Sequence, residues 1–313
     1  MATLLVIGGT GFFGKSILDC YKRKLLNNWK IDKVIIFSRS SREFEKNNSD
    51  LISKNVELIA GDISTIKELP RADFVIYAAA SADSLKYSFS DEMSNLAING
   101  VINYCKIATI LHKNSKIIFC SSGAVYGYQP PNLKGFKEDM DLEVYPAELK
   151  NKKNYALCKR ESEFLFNQLA KKNLNISIAR CFSFNGTYLP LNKNYAIASF
   201  ISCGLKGQSI NIEAKGLTYR SYMHSDDLVK WLLTIAENSN STCPIYNVGS
   251  DYEIEIRELA NIIAKKFNTN VNQCSIINNT IIDRYIPSVD KARNELKLDF
   301  EYSFKDTIFN ITK

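Results

Sequence analysis

The chain has 313 residues, of which 45% are hydrophobic and 23% charged, and this balance excludes a disordered protein. No run approaches the roughly 18 apolar residues of a membrane span, and the short apolar start lacks the features of a signal peptide, so we expect a cytoplasmic protein without a membrane partner. The net charge is +7, but the lysines are spread along the chain without a basic and aromatic block, so we expect no nucleic-acid partner.

Short apolar, β-branched runs recur in the first half of the chain, and helical patterns separate them. The runs lie at 4–7, 33–37, 56–60, 74–78, 116–120 and 176–180, and the helical patterns at about 12–27, 91–113 and 153–172. Strands of a parallel sheet that is covered on both faces have this pattern, and the alternation predicts right-handed crossovers. We therefore predict an α/β protein with a Rossmann-type, doubly wound parallel sheet.

Beyond residue 181 the alternation loosens. Helical patterns lie near 196–206, 229–238 and 256–267, and strand-like runs lie at 209–214 and 274–279. No linker-like segment separates this part from the first. We predict a dinucleotide-binding Rossmann lobe formed by 1–181 and about 221–245, and a smaller α/β substrate lobe formed by about 182–220 and 246–313.

Glycines cluster directly after the first predicted strand, in GGTGFFG at 8–14. Gly8, Gly11 and Gly14 form a GxxGxxG pattern where a strand leads into a helix. In this geometry the first glycine permits a tight turn, the second lets a pyrophosphate approach the backbone, and the third allows close helix–strand packing. The pattern predicts a dinucleotide at the start of the first helix. The other residues of this turn that we assign to the cofactor are Thr10, Phe12 and Phe13.

The end of the second strand bears on the choice between NAD and NADP. An acidic residue there binds the ribose hydroxyls of NAD, whereas an arginine pairs with the 2′-phosphate of NADP. The chain has Ser38, Arg39 and Arg42 at this point and no acidic residue among 38–42. This favours NADP, with stacking of Arg39 on the adenine of NAD as the alternative, so the predicted cofactor is NAD(P).

Tyr155 and Lys159 lie four residues apart on a predicted helix and so on one face. A phenol has a pKa of about 10, and a neighbouring ammonium together with a positive nicotinamide ring favours its ionised form. Ser122 follows a predicted strand and is a candidate hydrogen-bond donor to a reacting sugar oxygen. Taken singly, the pair is also explained as an amphipathic surface pair, and the serine as an ordinary start of a loop.

Several motifs occur together in one order along the chain. After GGTGFFG they are GDIS at 61–64, YAAAS at 77–81, SSGAVYG at 121–127, YALCK at 155–159, RSYMHSDDL at 220–228, YNVGS at 246–250 and RYIPSVDKARNEL at 284–296. With these motifs the chain resembles, from end to end, the extended short-chain dehydrogenase/reductases of the nucleotide-sugar epimerase/dehydratase branch. The resemblance implies a nucleoside-diphosphate sugar as substrate, and a homodimer through a four-helix bundle of the helices near 91–113 and 153–172.

The resemblance also implies roles for single positions. Tyr155 matches the base, Lys159 the partner that lowers its pKa and binds ribose, and Ser122 the residue that shares the proton. Arg220 and Arg284 match two arginines that bind the diphosphate, as guanidinium forks do, with surface ion pairs as the alternative. The further positions implied to contact the cofactor are Asp62, Ile63, Ala78, Ala79, Ala80 and Ser121.

The reactions of the family that this chain resembles share a first step. The base takes a proton from a sugar hydroxyl, usually at C4, while the carbon that bears this hydroxyl passes hydride to the nicotinamide. A 4,6-dehydratase also needs an Asp-Glu pair where this chain has Gly123 and Ala124, so simple 4,6-dehydration is rejected. The prediction is an epimerase or 4-dehydrogenase acting on a hexose or heptose. The alternatives are an NADPH-dependent 4-keto-sugar reductase and, more remotely, a non-enzymatic NADP sensor or scaffold.

Two departures from the family pattern predict an altered sugar pocket. Ser183, which we assign to substrate binding, and Ala97 stand where asparagine is common. The composition, rich in Lys, Asn and Ile, is typical of a bacterium with an AT-rich genome, where such enzymes serve capsule or lipopolysaccharide synthesis. With two distant histidines and no closely spaced cysteine pair, we expect no metal site.

Overall fold

The computed structural model describes residues 1–79, 91–142, 150–192, 195–273 and 278–309. The first half forms β1 (Ala2–Ile7), α1 (Phe12–Lys22), β2 (Ile31–Ser38), α2 (Ser41–Asn47), β3 (Val56–Ala60), β4 (Phe74–Tyr77), α3 (Asp91–Leu111), β5 (Lys116–Ser122), α4 (Lys150–Ala170) and β6 (Asn175–Cys181). The second half forms β7 (Phe184–Asn185), α5 (Ala196–Leu205), β8 (Ile210–Ile212), β9 (Gly216–Arg220), β10 (Met223–His224), α6 (Ser225–Glu237), β11 (Ile245–Val248), β12 (Ile254–Glu255), α7 (Ile256–Phe267), β13 (Val271–Gln273), β14 (Asn278–Tyr285), α8 (Asp290–Leu296) and α9 (Phe304–Phe309).

The predicted doubly wound sheet is confirmed. Within the described ranges, seven parallel strands lie in the order β11-β6-β5-β4-β1-β2-β3. Leu4 and Val6 of β1 enter one apolar cluster with α1 and α6, whereas Leu5 and Ile7 enter a second with α3 and α4. Because both faces of the sheet are covered, its strands are continuous apolar runs. None of the helices in these ranges is long and apolar enough to cross a membrane.

Strand β11 joins this main sheet, although the sequence prediction put the residues from 246 onward in the smaller lobe. It pairs in parallel with β6, with Ile245 opposite Ile178 and Val248 opposite Cys181. Tyr246 and Val248 are buried in the first apolar cluster. The division of the rest of the chain into two lobes stays a prediction.

The second half contains a small sheet, of which the sequence predicts only a part. Strands β12, β9 and β14 are hydrogen-bonded in that order. β9 was not predicted, and the run predicted at 274–279 overlaps β14 only at its start, while 274–277 lie outside the described residues. Helix α1 ends at Lys22, whereas the sequence predicts a helix to about residue 27. The helix cannot continue because Lys24 adopts a φ of 62°.

The order of the main sheet creates a crevice beside β1. β1 lies between β2 and β4. From β1 the sheet is extended on one side by β2 and β3, and the chain then crosses to β4 and extends the sheet on the other side through β5 and β6. In open α/β sheets, ligands bind outside the carboxyl ends of the strands at such a switch point. The glycine turn follows β1 at this end, and Ala78 follows β4 beside it.

Asp227, in the first turn of α6, holds the C-terminal segment. Its carboxylate accepts backbone hydrogen bonds from Glu301 at 2.9 Å and Tyr302 at 3.2 Å, and Asp227 is 1% exposed. Burial raises the pKa of Asp227 from 3.8 to about 6 despite these two bonds. At Asp227 the folded protein therefore binds a proton more tightly than the unfolded chain, and the contribution of Asp227 to the free energy of unfolding falls as the pH rises from about 4 to 6.

We expect Asp227→Asn to lose this contribution, because an amide does not titrate, so its free energy of unfolding should change with a more positive slope against pH than that of the wild type. Urea unfolding at a series of pH values between about 4 and 7 measures the slope, which is compared between the two proteins independently of their absolute stabilities. Asp50, an exposed carboxylate, provides the control as Asp50→Asn, which should keep the wild-type slope. An unchanged slope in Asp227→Asn contradicts the prediction.

Candidate active site

The glycine turn after β1 is shaped by close backbone packing on two sides. Gly8 has a φ of +83°, and a Cβ added there would lie 2.5 Å from the Cα of Ala79. A Cβ added at Gly14 would lie 1.8 Å from the carbonyl oxygen of Gly9, whereas one at Gly11 would meet nothing within 4 Å. Gly8 and Gly14 therefore fix the turn, and Gly11 faces open space.

Helix α1 begins at this open position. Gly11 is its N-cap, no side chain hydrogen-bonds to the cap, and the first turn contains no acidic residue. Phe13 packs edge-on against Phe184, with ring centroids 5.4 Å apart, which anchors the start of the helix. The N–H groups and dipole at such a helix start favour an anion, and no atom lies within 4 Å of the position of an added Gly11 Cβ, so these residues suit the approach of a pyrophosphate to the backbone.

The predicted adenosine end of the crevice contains Asp62, which the resemblance assigns to the cofactor and which the structure pairs with Arg39. The hydroxyl oxygens of Thr10 and Ser38 lie 2.9 Å apart. Arg39, 63% exposed, has its Nη1 at 3.7 Å from Oδ2 of Asp62, because β2 and β3 are neighbours. Burial raises the pKa of Asp62, but hydrogen bonds from Ser64 and the charge of Arg39 outweigh it, so the pKa is lowered and the carboxylate is ionised.

The other predicted cofactor residues near the carboxyl ends of the strands are placed as follows. Arg42 is exposed on α2, and Ile63 is partly buried after β3, where its carbonyl accepts a hydrogen bond from Asn103 at 2.9 Å. Ala78 and Ala79 are partly buried directly after β4. Ala80 lies outside the described residues.

Tyr155, Lys159 and Ser122 come together where α4 crosses the end of β5. Each is buried, with 8%, 6% and 8% of its surface exposed, respectively. Nζ of Lys159 donates to the carbonyl of Cys120 at 2.9 Å and lies 6.0 Å from the centre of the Tyr155 ring. The Ser122 hydroxyl oxygen accepts from the Ala124 N–H at 3.2 Å and also hydrogen-bonds to the Tyr155 side chain.

The resemblance implies that Lys159 lowers the pKa of Tyr155, but in the structure of the chain this pKa is raised. Burial raises the pKa of Tyr155 to about 12, and the hydrogen bond with Ser122, which lowers it, compensates only in part. Burial also lowers the pKa of Lys159. The physical reason for the difference is desolvation, which disfavours the charged form of each group.

Positions 123 and 124 contain no group that moves a proton. Gly123–Tyr126 form a short 3-10 helix directly after Ser122. A Cβ added at Gly123 would lie 2.6 Å from the ring of Phe182, so even a methyl group there requires that ring to move. The structure therefore contains, next to Ser122, a tightly packed apolar wall.

Arg220 and Arg284 lie on neighbouring strands of the small sheet. Nη2 of Arg220 bonds to Oδ2 of Asp283 at 2.6 Å, and Nη1 of Arg284 pairs with Glu253. Arg284 stands opposite Tyr219 in the register, and Tyr285 stands opposite Arg220. The two arginine side chains therefore leave the sheet on opposite faces, and each is paired with a different carboxylate.

Ser183 and Ser121 form contacts within the fold that the sequence does not predict. The carbonyl of Ser183 accepts a hydrogen bond from the Met223 N–H at 3.1 Å, which joins the segment after β6 to β10. Ser121, predicted to contact the cofactor, directs its hydroxyl to Glu163 at 2.5 Å. The part of the chain that the structure describes contains no group of three His, Cys, Asp or Glu side chains able to hold a metal ion.

Comparisons with known proteins agree with this architecture. A family model described as the NAD dependent epimerase/dehydratase family matches residues 4–249. The chain is 26% identical over 297 residues to UDP-glucuronic acid decarboxylase 3 of Arabidopsis thaliana, covering 94% of this chain and 83% of that protein. It is 27% identical to a UDP-N-acetyl-alpha-D-glucosaminuronate decarboxylase of Bacillus cytotoxicus, covering 82% and 77%.

Solved structures show the same fold. The crystal structure of a dTDP-glucose 4,6-dehydratase from Streptomyces venezuelae with NAD bound matches with a TM-score of 0.81 at 22% identity, covering 98% of this chain and 94% of that one. That of a UDP-glucose 4-epimerase from Thermotoga maritima with UDP-glucose matches with a TM-score of 0.79 at 19% identity, covering 98% and 96%.

Proposed function

The chain belongs to the NAD-dependent epimerase/dehydratase family, and on that premise we propose that it is an NAD(P)-dependent epimerase or 4-dehydrogenase of a nucleoside-diphosphate hexose or heptose. The observation that carries the proposal is the buried set of Tyr155, Lys159 and Ser122 at the sheet edge that also contains the open glycine turn. The proposed setting is the cytoplasm of a bacterium, in the synthesis of surface polysaccharide precursors.

Each residue of the set has a defined task in this proposal. Tyr155 accepts the proton of the sugar C4 hydroxyl, Ser122 shares that hydrogen bond, and Lys159 supplies a positive charge and binds ribose. Bound NAD(P) supplies the hydride acceptor and, when oxidised, a positive ring that favours the phenolate. The charge of that ring acts against the burial that raises the pKa of Tyr155 to about 12.

The apolar wall at positions 123 and 124 favours reactions that need no second acid and base. A 4-epimerase returns the hydride to the other face of the same carbon, and a 4-dehydrogenase releases the keto sugar. A 4-keto-sugar reductase runs the same step in reverse and stays the alternative. A sensor or scaffold is disfavoured because Tyr155 and Lys159 are both present and buried.

Decarboxylation of a uronic acid is a second candidate. It is favoured by relatives named as uronic acid decarboxylases, one of which matches 94% of this chain. Oxidation at C4 of a hexuronic acid produces a β-keto acid, which loses CO2 without an acid or base at 123 and 124. This candidate uses the same Tyr155 and Lys159, so the two proposals differ in substrate and not in the first step.

One screen tests these reactions. The purified protein is incubated with UDP-, GDP-, CDP- and dTDP-sugars, including uronic acids, and the products are identified by mass and proton NMR. A product of unchanged mass indicates epimerisation, loss of two hydrogens indicates a dehydrogenase, and loss of CO2 indicates a decarboxylase. Keto sugars with NADPH test the reductase. If no sugar is converted, the enzyme proposal is contradicted.

The cofactor is proposed as NAD(P). Arg39 and Arg42 favour a 2′-phosphate, but the ionised Asp62 beside Arg39 repels one and provides the kind of group that binds ribose hydroxyls. Fluorescence titrations with NADH and NADPH compare the two affinities, and Arg39→Ala shows which of them depends on this arginine. A clear preference for NADH removes the argument for NADP.

We expect Arg220→Ala and Arg284→Ala each to weaken binding of the nucleotide sugar and to change kcat little. Replacing a bidentate cation–phosphate contact costs about 1.5–3 kcal/mol, or roughly 10- to 150-fold in Kd. Isothermal titration with the sugar found in the screen measures this, and Arg257→Ala, an arginine paired with Glu255, is the control. Because the two arginines face opposite sides of the sheet, a loss in only one variant limits the diphosphate assignment to that residue.

The proposed homodimer uses the outward faces of α3 and α4. These helices carry large apolar side chains that are exposed in the single chain: Ile102, Ile110, Leu157 and Phe164. Packing them against a second copy removes this apolar surface from water. We expect light scattering to show a dimer and Phe164→Glu to produce a monomer, whereas Leu205→Glu, on α5, leaves the mass unchanged. A monomeric wild-type protein contradicts the proposal.

A further inference from the structure

A buried carboxylate joins α4, the helix that carries Tyr155 and Lys159, to two strands of the main sheet. Oε1 of Glu163, on α4, accepts from the Ser121 hydroxyl of β5 at 2.5 Å, and Oε2 accepts from Nη2 of Arg180, on β6, at 2.9 Å. The side chains of Arg180 and Glu163 are 5% and 8% exposed. Arg180 also lies over the ring of Tyr126, with its Cζ 4.8 Å from the ring centre. One carboxylate therefore connects three elements.

Glu163 shares a face of α4 with the candidate catalytic residues. Tyr155, Lys159 and Glu163 are spaced by four residues, which places them one above the other along the helix. The same short end of β5 provides the carbonyl of Cys120 for Lys159 and the hydroxyl of Ser121 for Glu163. The position of α4 along β5 thus determines the contacts of the lysine and of the carboxylate together.

Stability alone does not explain a charged pair at this position. Buried ion pairs are often no more stabilising than apolar residues of similar volume. The stacked rings of Phe119 and Phe166, 4.5 Å apart, already pack α4 on β5 one helical turn away. What hydrogen bonds with fixed directions add to this apolar packing is geometric precision.

We propose that Glu163, held by Ser121 and Arg180, is a positioning residue that sets Lys159 and Tyr155 in register with the end of β5 for hydride transfer. This inference rests on the function proposed for Tyr155 and Lys159. A displacement of reacting groups by about 1 Å can reduce a rate about 10²-fold, so a residue remote from the substrate has a measurable effect by this route.

Glu163 also acts on the charge of Lys159. The groups that face this ammonium are the thiols of β5, β6 and α4, the Tyr155 ring and the Glu163 carboxylate; the thiols belong to Cys120, Cys181 and Cys158. Burial lowers the pKa of Lys159, and the negative charge of Glu163 opposes that effect. Loss of this charge lowers the pKa of Lys159 further, so the lysine loses its proton at a lower pH.

Glu163→Gln keeps the shape of the side chain and removes its charge, so it is the first test. We expect kcat to fall about 10²-fold, the KM for the sugar to change little, and the alkaline limb of the kcat profile to move to lower pH. NADH binding, followed by fluorescence, should weaken because Lys159 is assigned to the ribose. Ser162→Ala removes a neighbouring buried hydroxyl that bonds to the Cys158 carbonyl, and it should leave all four measurements unchanged.

A double variant covers the case in which Glu163→Gln does not fold. Glu163→Met with Arg180→Met replaces the pair by apolar side chains of similar volume, and far-UV circular dichroism with thermal unfolding verifies its fold. If either folded variant has wild-type kcat, pH profile and NADH affinity, the positioning role is wrong. If the wild-type protein converts no sugar, the proposed function fails, and the NADH titration of the folded variant still decides the role of Glu163.

Discussion

Replacing Tyr155 by phenylalanine should slow hydride transfer about 10³-fold and leave NADH binding nearly intact. The ring keeps its packing against Ile98 of α3 and Cys158, and only the hydroxyl that hydrogen-bonds to Ser122 is lost. Because proton transfer by a positioned side chain contributes about 10²- to 10⁴-fold, we expect a loss of about 10³-fold. Single-turnover measurements of NADH formation with the sugar found in the screen measure it.

Tyr104→Phe is the matched control for this variant. Tyr104 is fully buried on α3, and its hydroxyl lies 3.4 Å from Nδ1 of His112, away from the sheet end. Removing that hydroxyl should leave the single-turnover rate at the wild-type value. If Tyr155→Phe turns over as fast as this control, the base has been assigned to the wrong residue.

Gly14→Ala should destabilise the whole first βα unit. By helix propensity alone, alanine inside α1 would stabilise the protein by about 0.8–1 kcal/mol. The added Cβ, however, would lie 1.8 Å from the oxygen and 2.3 Å from the carbon of the Gly9 carbonyl, and backbone atoms cannot rotate aside as a side chain does. Overpacking of this kind costs about 1–3 kcal/mol or more, so the net effect is destabilising.

Urea unfolding and NADH titration together check this prediction. Gly14→Ala should lower the free energy of unfolding and weaken NADH binding, because α1 can no longer pack against the turn. Gly11→Ala provides the contrast: φ is −89° and nothing lies within 4 Å of the added methyl group, so stability should hold while NADH binding weakens. A Gly14→Ala protein as stable as Gly11→Ala contradicts the packing argument.

The main sheet could be predicted from the sequence because most of its strands are buried on both faces. Such strands appear as continuous apolar runs, and β1 to β6 all coincide with predicted runs. β9 could not be predicted because only one of its five residues, Gly216, is buried, so it has no continuous apolar run. β11 has only four residues, and Asn247 interrupts its apolar run.

The candidate site was predictable where a single backbone position dictates the residue. Gly8 adopts a φ of +83° and Gly14 contacts backbone, and both requirements select glycine in any sequence of this fold. Contacts between side chains on different strands leave no such local pattern. Arg39 meets Asp62 only because β2 and β3 are neighbours, and Glu163 meets Arg180 only because α4 packs on β6.

The path of the chain through the main sheet has a consequence for folding. β11 covers the outer edge of β6, yet more than sixty residues, including the strand that carries Arg220, separate the two along the sequence. A fragment that stops at residue 181 would leave the N–H and C=O groups on that side of β6 without partners, and unpaired edges promote intermolecular association. The amino-terminal part, expressed by itself, is therefore expected to aggregate.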